Sequence, residues 1–323
     1  MDGLTITILL TAVVASAAPI VLAVVGETLA ERSGIINLSL DGAILLSAMG
    51  AFAVAVRTGS LTAGFVAGGL IGGAVAGVVA VFSLYLRVSQ IAVGFVLALM
   101  TRDLAYFLGA PYAGISGPQV PPLTIPLLSR IPLAGPILFN HNAVVYLSFV
   151  LILVVWWIVN HTPAGLNIRA VGERPEAAFD RGINPLTVRL GCVLGGGLLT
   201  GLAGGAYSLG VKAGWGHPQG VEGVGWIVLA LVIFGRWRIV RAAMGAYFFA
   251  FLQVAGVALQ QLTTAIPAQV FQVAPFPLMI LTLIFLNFPK VKTGGQMTRG
   301  DVSRRSAGEG MPAALGKPWP DNF

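Results

Sequence analysis

The chain has 323 residues, of which 56% are hydrophobic and only 10% are charged, and its mean hydropathy is +0.87. Soluble domains carry about 25% charged residues, so this composition excludes a soluble enzyme, a nucleic-acid-binding protein and a disordered chain. One cysteine, Cys192, cannot form an internal disulfide, and three scattered histidines predict no metal site. The sequence predicts an all-α membrane protein that crosses the bilayer many times.

Nine apolar stretches follow one another along the chain, and a helix that crosses the hydrocarbon layer needs about 20 apolar residues. The predicted spans cover residues 4–25, 38–56, 61–86, 90–108, 144–159, 190–211, 224–234, 242–262 and 271–288. Between the fourth and fifth spans, the prolines of 111–139 rule out a straight helix and predict an ordered loop, with an interfacial helix as one form it could take. Residues 1–288 form the predicted transmembrane domain, and the polar residues 289–323 predict a flexible cytoplasmic tail.

The distribution of the basic residues predicts the orientation of this bundle. With the N-terminus outside, fifteen of the 19 Lys and Arg residues fall in cytoplasmic segments or in the tail. Cytoplasmic loops of membrane proteins carry an excess of Lys and Arg. The sequence therefore predicts an N-out, C-in bundle of about nine helices, and the net charge of +7 reflects topology rather than nucleic-acid binding.

Polar residues in and next to the spans are the first candidates for function. Residues 26–37 run directly into the second span, where Asp41 lies in the first turn. An ionisable group at that depth is costly unless it faces protein or water. Asp41 is therefore either part of a broken-helix lining of a translocation route or a cap of the second helix. Arg102 and Asp103, inside the fourth span, point about 100° apart on a helix and so do not pair with each other. They either form a structural ion pair with other partners or serve a function.

Glycines recur at every fourth position in two of the spans. Such faces let helix backbones approach closely, so they predict tight packing and say little about a substrate. The predicted ladders are Gly64, Gly68 and Gly72, then Gly69, Gly73 and Gly77, and finally Gly197, Gly201 and Gly205.

The polar segment 160–189 lies inside in this topology and predicts a short surface helix. Pro175 suits the first turn of a helix, Glu176 suits its positive N-terminal end, and Gly182 is a natural stop. From these residues alone, the helix is either a solvated loop helix or a docking element for a cytoplasmic partner.

Three motifs, in this order, resemble those of the permease subunits of bacterial ABC importers for ribose-like sugars and nucleosides, most closely the nucleoside branch that depends on a basic membrane lipoprotein. The first is ERSGIINLSLDG (31–42), in which Asp41 stands where the family usually has Glu. The second is IRAVGERPEAA (168–178), followed by Gly182 and Ile183. The third is GWIVLA (225–230), followed by FGRW (234–237).

This resemblance implies an importer subunit that works by alternating access and is powered by a separate cytoplasmic ATPase, which binds the ATP; the chain itself carries no cofactor and is not an enzyme. It implies a second permease chain of different sequence, an outer substrate-binding lipoprotein or protein, and a place in the bacterial inner membrane. Asn37, Ser39, Asp41 and Phe95 become candidates for the substrate pathway. The implied ATPase-coupling residues are Gly172, Glu173, Arg174, Pro175, Glu176, Ala177, Ala178 and Gly182.

A second hypothesis comes from the same polar residues without the resemblance. In an ion-driven secondary carrier, Asp41 or Asp103 would bind a proton or a sodium ion. Such a carrier would keep working without ATP and would stop when an ionophore removes the ion gradient. No catalytic motif in the sequence supports an intramembrane enzyme, and no P-loop motif is present for binding ATP.

Overall fold

The computed structural model describes residues 3–262 apart from 127, 128, 130, 132, 133 and 213, then isolated positions between 270 and 281, and finally 310–317. Nearly all regular structure in this part of the chain is helical. The helices are α1 (Gly3–Arg32), α2 (Leu40–Thr58), α3 (Leu61–Ala80), α4 (Gln90–Gly109), α5 (Ala134–Phe139), α6 (Ala143–His161), α7 (Pro163–Glu173), α8 (Pro175–Asp180), α9 (Pro185–Ala206), α10 (Val224–Phe234) and α11 (Ile239–Leu262). Short π-helical turns, Val81–Tyr85 and Tyr207–Val211, extend α3 and α9.

Seven of these helices are long and apolar enough to cross a membrane, namely Ile6–Arg32, Leu40–Thr58, Leu61–Tyr85, Gln90–Tyr112, Ala143–His161, Pro185–Val211 and Ile239–Gln260. They correspond to the first six predicted spans and to the eighth. The predicted seventh span is the shorter apolar helix α10, and the predicted ninth, 271–288, lies largely outside the described residues. The all-α, multi-pass class is confirmed, while the count of nine and the orientation stay predictions.

Helix α1 lies at the centre of the bundle, where it packs against α6, α9, α10 and α11. Residues 21–25 of α1 have no exposed surface at all. Helix α2 is the other core element and packs against α3, α4 and α9. Much of α4, in contrast, is exposed and apolar, as expected of a surface that faces lipid or another membrane subunit.

Helices α3 and α9 are in backbone contact along their glycines, as the ladders predict. A Cβ on Gly72 would lie 2.4 Å from the carbonyl oxygen of Gly197, and a Cβ on Gly201 would lie 2.2 Å from that of Gly68. The second predicted ladder differs, because a Cβ on Gly73 would first meet the Leu198 side chain, at 3.2 Å. Of the two ladders on α3, the one that includes Gly68 and Gly72 therefore requires glycine for direct contact between backbones.

The proline-rich segment between α4 and α6 is ordered over its described residues, in agreement with the prediction. It contains the short helix α5 and a two-stranded antiparallel ribbon of β1 (Pro122–Thr124) and β2 (Asn140–Asn142). The ribbon is too short to leave a pattern in the sequence. It leads directly into α6, whose first turn is capped by the side chain of Asn142, which accepts a hydrogen bond from the backbone N–H of Val145 (3.2 Å).

Candidate functional site

The break between α1 and α2, residues 33–39, is the most unusual backbone in the interior of the bundle. Gly34 turns the chain with a φ of +102°, a conformation that favours glycine. Helix α2 then begins beside the middle of α4, since a Cβ on Gly42 would lie 2.2 Å from the carbonyl oxygen of Ala98. The chain between the two helices is therefore unwound inside the bundle rather than at its end.

Polar side chains pair the unwound backbone of this break. The side-chain oxygen of Asn37 accepts hydrogen bonds from the backbone N–H (3.1 Å) and the hydroxyl (2.5 Å) of Ser39. The backbone N–H of Asn37 donates to Oε1 of Glu27 at 3.1 Å, and that of Ile36 donates to Oε1 of Gln90 at 3.0 Å. Non-helical backbone is tolerated at membrane depth only when its polar groups are paired within the protein or line a water-filled cavity. Asn37 and Ser39 thus stabilise the break itself.

Asp41 caps a helix, although the helix is α10 and not its own. Its Oδ1 atom accepts hydrogen bonds from the backbone N–H groups of Gly223 (2.8 Å) and Gly225 (3.2 Å) at the start of α10. The first N–H groups of a helix have no partner within the helix, and a carboxylate stabilises the positive end of the helix dipole. A Cβ on Gly225 would lie 2.3 Å from the Cα of Asp41, so the two helix starts are in direct contact.

The first and third motifs also meet at a second point. The indole N–H of Trp237 donates a hydrogen bond to Oε2 of Glu31, and both side chains are buried. Arg236 and Trp237 have φ values of +53° and +54°, so two consecutive residues in the left-handed region turn the chain sharply from α10 into α11. We refer to residues 27–42, together with 223–225 and Trp237, as the motif junction.

The second motif lies against the end of α1. A Cβ on Gly172 would lie 2.0 Å from the carbonyl oxygen of Arg32, so α7 contacts the chain where α1 ends. Helix α8 begins at Pro175, and Gly182 follows it with a φ of +82°, which confirms the predicted short helix. The sequence prediction missed α7, which precedes α8 almost without a break.

Some of the predicted coupling residues are buried against the bundle, and the others are exposed on its surface. Gly172 and Ala178 are buried and hold the two helices to the bundle, and Pro175 is half-buried. The remaining members are exposed and form a mixed-charge surface on and around α8; they are Glu173, Arg174, Glu176, Ala177 and Gly182. Phe179, on the same short helix, adds an exposed aromatic ring.

Phe95 lies apart from the other predicted pathway residues, on the exposed face of α4. The residue is 49% exposed, and the centroid of its ring is 6.4 Å from that of Trp226. Trp226 follows Gly225, so this aromatic pair lies close to the capped start of α10. Arg102 and Asp103 are exposed on α4, which places neither of them in the buried environment that an ion site in the bundle interior would have.

The loop between α9 and α10 carries a further, partly buried polar network. The carboxylate of Glu222 accepts hydrogen bonds from the Tyr106 hydroxyl and from the backbone N–H groups of Gln219 (2.7 Å) and Gly220 (2.6 Å). Burial on its own raises the pKa of Glu222, but these hydrogen bonds favour the charged form and leave the pKa lowered. His217 stacks on the Tyr106 ring at 4.0 Å between centroids.

The structure brings Asn37, Ser39 and Asp41 together in one short segment, with α4 and α10 beside them. Their partners Glu27 and Gly225 were not predicted as such, because each acts through a contact that only the folded bundle brings about. The signal in the sequence was that polar or glycine residues interrupt otherwise apolar stretches at both places. Within the described part of the chain, no group of three or more His, Cys, Asp or Glu side chains could hold a metal ion.

Similarity to known proteins extends over most of the chain. Residues 9–283 match the family described as branched-chain amino acid transport system / permease component. A putative glucose ABC transporter permease protein of Haloferax volcanii is 33% identical over 315 residues, which cover 95% of each chain. The guanosine ABC transporter permease protein NupQ of Bacillus subtilis is 31% identical, with coverage of 86% of this chain and 91% of its own. The nucleoside ABC transporter permease protein NupC of Lactococcus lactis is 30% identical, covering 83% and 89%. No solved structure matches the chain significantly.

Proposed function

Since the chain belongs to the family of branched-chain amino acid transport system permease components, we propose that it is the transmembrane subunit of an ATP-driven importer for nucleosides or related simple sugars. The family and the named relatives are permease components of transporters, so the chain is a membrane transport subunit and not an enzyme. The proposed substrate class is taken from the relatives, two of which are named for nucleosides and one for glucose.

The observation that carries the proposal is the position of α8. This short helix has an exposed, mixed-charge surface, and α7 anchors it where α1 ends, within the motif junction. A cytoplasmic ATPase that binds α8 would act on a rigid element in direct contact with the last residue of α1, immediately before the break between α1 and α2. Rigid-body movement of that element is one way in which distant sites of a transporter are linked.

The substrate route that we propose passes the motif junction and the aromatic pair. Asn37, Ser39 and Asp41 supply polar groups at the break, and Phe95 with Trp226 supplies exposed aromatic faces. A small number of polar groups in a largely apolar cavity is typical of sites for small polar ligands. The exposed apolar face of α4 supports contact with a second permease chain, which we propose to have a different sequence.

The remaining parts of the proposal come from the same resemblance. The ATP is bound by the partner ATPase, and a lipoprotein or another extracytoplasmic protein delivers the substrate. The chain has its N-terminus outside and its C-terminus in the cytoplasm, and the membrane is the bacterial inner membrane. The excess of Lys and Arg in the segment 160–189 and in the other predicted inner segments supports this orientation.

Uptake of a labelled nucleoside into proteoliposomes that hold the complete complex tests the function. We expect uptake only with ATP inside and the ATPase present, and no effect of an ionophore. Uptake that survives without the ATPase but stops with the ionophore would instead support a secondary carrier that uses Asp41 or Asp103.

The role of α8 is tested by Glu176→Lys, which reverses a charge on its exposed surface. We expect the variant to fold and to retain less than about a tenth of the ATP-dependent uptake. The reason is that loss of one partner of a charge pair buried in an interface, here the proposed interface with the ATPase, typically costs about 2–5 kcal/mol. Thr187→Lys, which adds a lysine at an exposed position of α9, serves as the control and should transport normally. Normal uptake by Glu176→Lys would contradict the docking role.

A further inference from the structure

The C-terminal residues 310–317, which we call the C-terminal strap, are fixed to the bundle beside the motif junction. The backbone N–H of Ala314 donates to the carbonyl oxygen of Gly172 at 2.9 Å, and that of Gly316 donates to the carbonyl oxygen of Gly34 at 3.0 Å. Within the strap, Leu315 and Lys317 donate back to Pro312 and Ala314, at 3.0 and 3.2 Å. The strap is therefore a folded turn rather than an extended chain that lies on the surface.

The strap is anchored to two separate parts of the chain, at Gly34 in the first motif and at Gly172 in the second. Gly34 lies just after the end of α1. Gly172 is the second-last residue of α7, and the last backbone carbonyls of a helix have no N–H donor within the helix. The strap supplies the missing donor for that carbonyl. The side chain of Leu315 packs against the main hydrophobic core of the bundle, and Ala314 is 5% exposed.

A buried arginine gives the strap a second function in the packing. Arg189, near the start of α9, is 1% exposed, and its Nε atom donates to the carbonyl oxygen of Ser33 at 3.1 Å. Its Nη1 atom donates to the carbonyl oxygen of Lys317 in the strap at 3.3 Å, while Nη2 has no hydrogen-bond partner among the described residues. A buried guanidinium with too few partners is costly. The strap thus supplies a hydrogen bond that this buried side chain needs.

We propose that the C-terminal strap is a positioning element for coupling, which fixes the α7–α8 pair and α9 to the end of α1. This inference rests on the proposed function, since coupling means that ATP hydrolysis by the ATPase that binds α8 drives transport at the break. Gly34 is three residues from Asn37, so a movement of α7 that the strap passes to Gly34 reaches the break directly. Without the strap, the contact between Gly172 and the end of α1 remains, but it lacks the hydrogen bonds that lock it.

Two neighbouring alanines provide a matched pair of variants. Ala314 is buried against the bundle, whereas Ala313 is exposed. Ala314→Trp should displace the strap, and Ala313→Trp should leave it in place. In proteoliposomes with the complete complex, we expect Ala314→Trp to raise the number of ATP molecules hydrolysed per nucleoside imported by about threefold or more. The same ratio should not change in Ala313→Trp.

Hydrogen exchange of the Gly316 amide measures docking independently of transport. We expect this amide to be protected in the unmodified protein and to exchange at least about tenfold faster in Ala314→Trp. If Ala314→Trp does not fold, a variant that ends at residue 309 takes its place in the measurement of the ATP-to-nucleoside ratio, and the Gly316 amide is followed in the unmodified protein and in Ala313→Trp.

The outcomes separate the two proposals. A Gly316 amide that exchanges freely in the unmodified protein would overturn the docked strap. A strap that is displaced while the ATP-to-nucleoside ratio stays unchanged would overturn its role in coupling, although the proposed function would stand. Uptake by the unmodified complex that needs no ATPase would overturn the proposed function, and the coupling role with it, whatever the exchange shows.

Discussion

Helices α3 and α9 meet where neither has a side chain, whereas α2 and α10 meet at a carboxylate. In the first contact, glycine backbones such as those of Gly68 and Gly201 touch over a long face, and the attraction is spread over many atoms. In the second, one oxygen of Asp41 accepts two hydrogen bonds at a single point. A distributed contact resists separation but carries no polar group, while a point contact orients two helices and places a charge inside the bundle.

The largest effect on stability is expected when a methyl group is added to the glycine face between α3 and α9. A Cβ on Gly201 would lie 2.2 Å from the carbonyl oxygen of Gly68, so Gly201→Ala forces two backbones apart. We expect a loss of about 2 kcal/mol in the free energy of unfolding, measured by denaturant titration in detergent. Gly191→Ala, on the same helix, meets no described atom within 4 Å and should instead gain up to about 1 kcal/mol from helix propensity. Equal stability of the two variants would contradict the backbone contact.

A smaller effect is expected when the point contact is weakened in two steps. Asp41→Ala removes the cap of α10 and should cost about 1–2 kcal/mol, because buried N–H groups lose their acceptor. Asp41→Asn retains a side-chain oxygen and should cost about half as much. Unfolding and nucleoside uptake are measured for both variants. If Asn proves as harmful to uptake as Ala while stability differs, the charge matters more than the acceptor, which would favour an ion-binding role for Asp41.

The smallest expected effect is on the pH dependence of stability. It concerns the loop carboxylate of Glu222, in contrast to the buried carboxylate of Asp41. The pKa of Glu222 is lower in the folded protein than its usual value of 4.5. Its contribution to stability is therefore complete above the unfolded pKa and is lost as the pH falls through the folded pKa. Between about pH 5 and pH 3, thermal unfolding should shift further in the unmodified protein than in Glu222→Gln. Parallel pH profiles would contradict the lowered pKa.

Features that depend on local composition could be predicted from the sequence. The first eight predicted spans coincide with helices because apolar runs end at polar residues, and Pro175 with Gly182 correctly bounded α8. The glycine ladder of Gly68 and Gly72 predicted close packing because its spacing is a local property. These features need no knowledge of which helix lies beside which.

The polar partners could not be predicted in the same way. From the first motif alone, Asp41 is equally a cap of its own helix and a lining residue, and its true acceptor role depends on α10, 182 residues later. Glu31 likewise meets Trp237 only after the left-handed turn between α10 and α11 has placed the indole. Such pairs depend on the arrangement of the whole bundle, which one sequence does not encode in any local pattern.

The length of α10 has a consequence for how the protein is made. Its eleven residues extend about 16 Å, roughly half of a hydrocarbon layer that is about 30 Å thick. A segment of this length is too short to enter the bilayer as an independent span, and its first N–H groups need a partner that water cannot supply there. Asp41 precedes Gly223 in the chain, so its carboxylate is synthesised before the start of α10. The start of α10 therefore has its hydrogen-bond partner in the protein rather than in water, in a carboxylate that is synthesised 182 residues earlier.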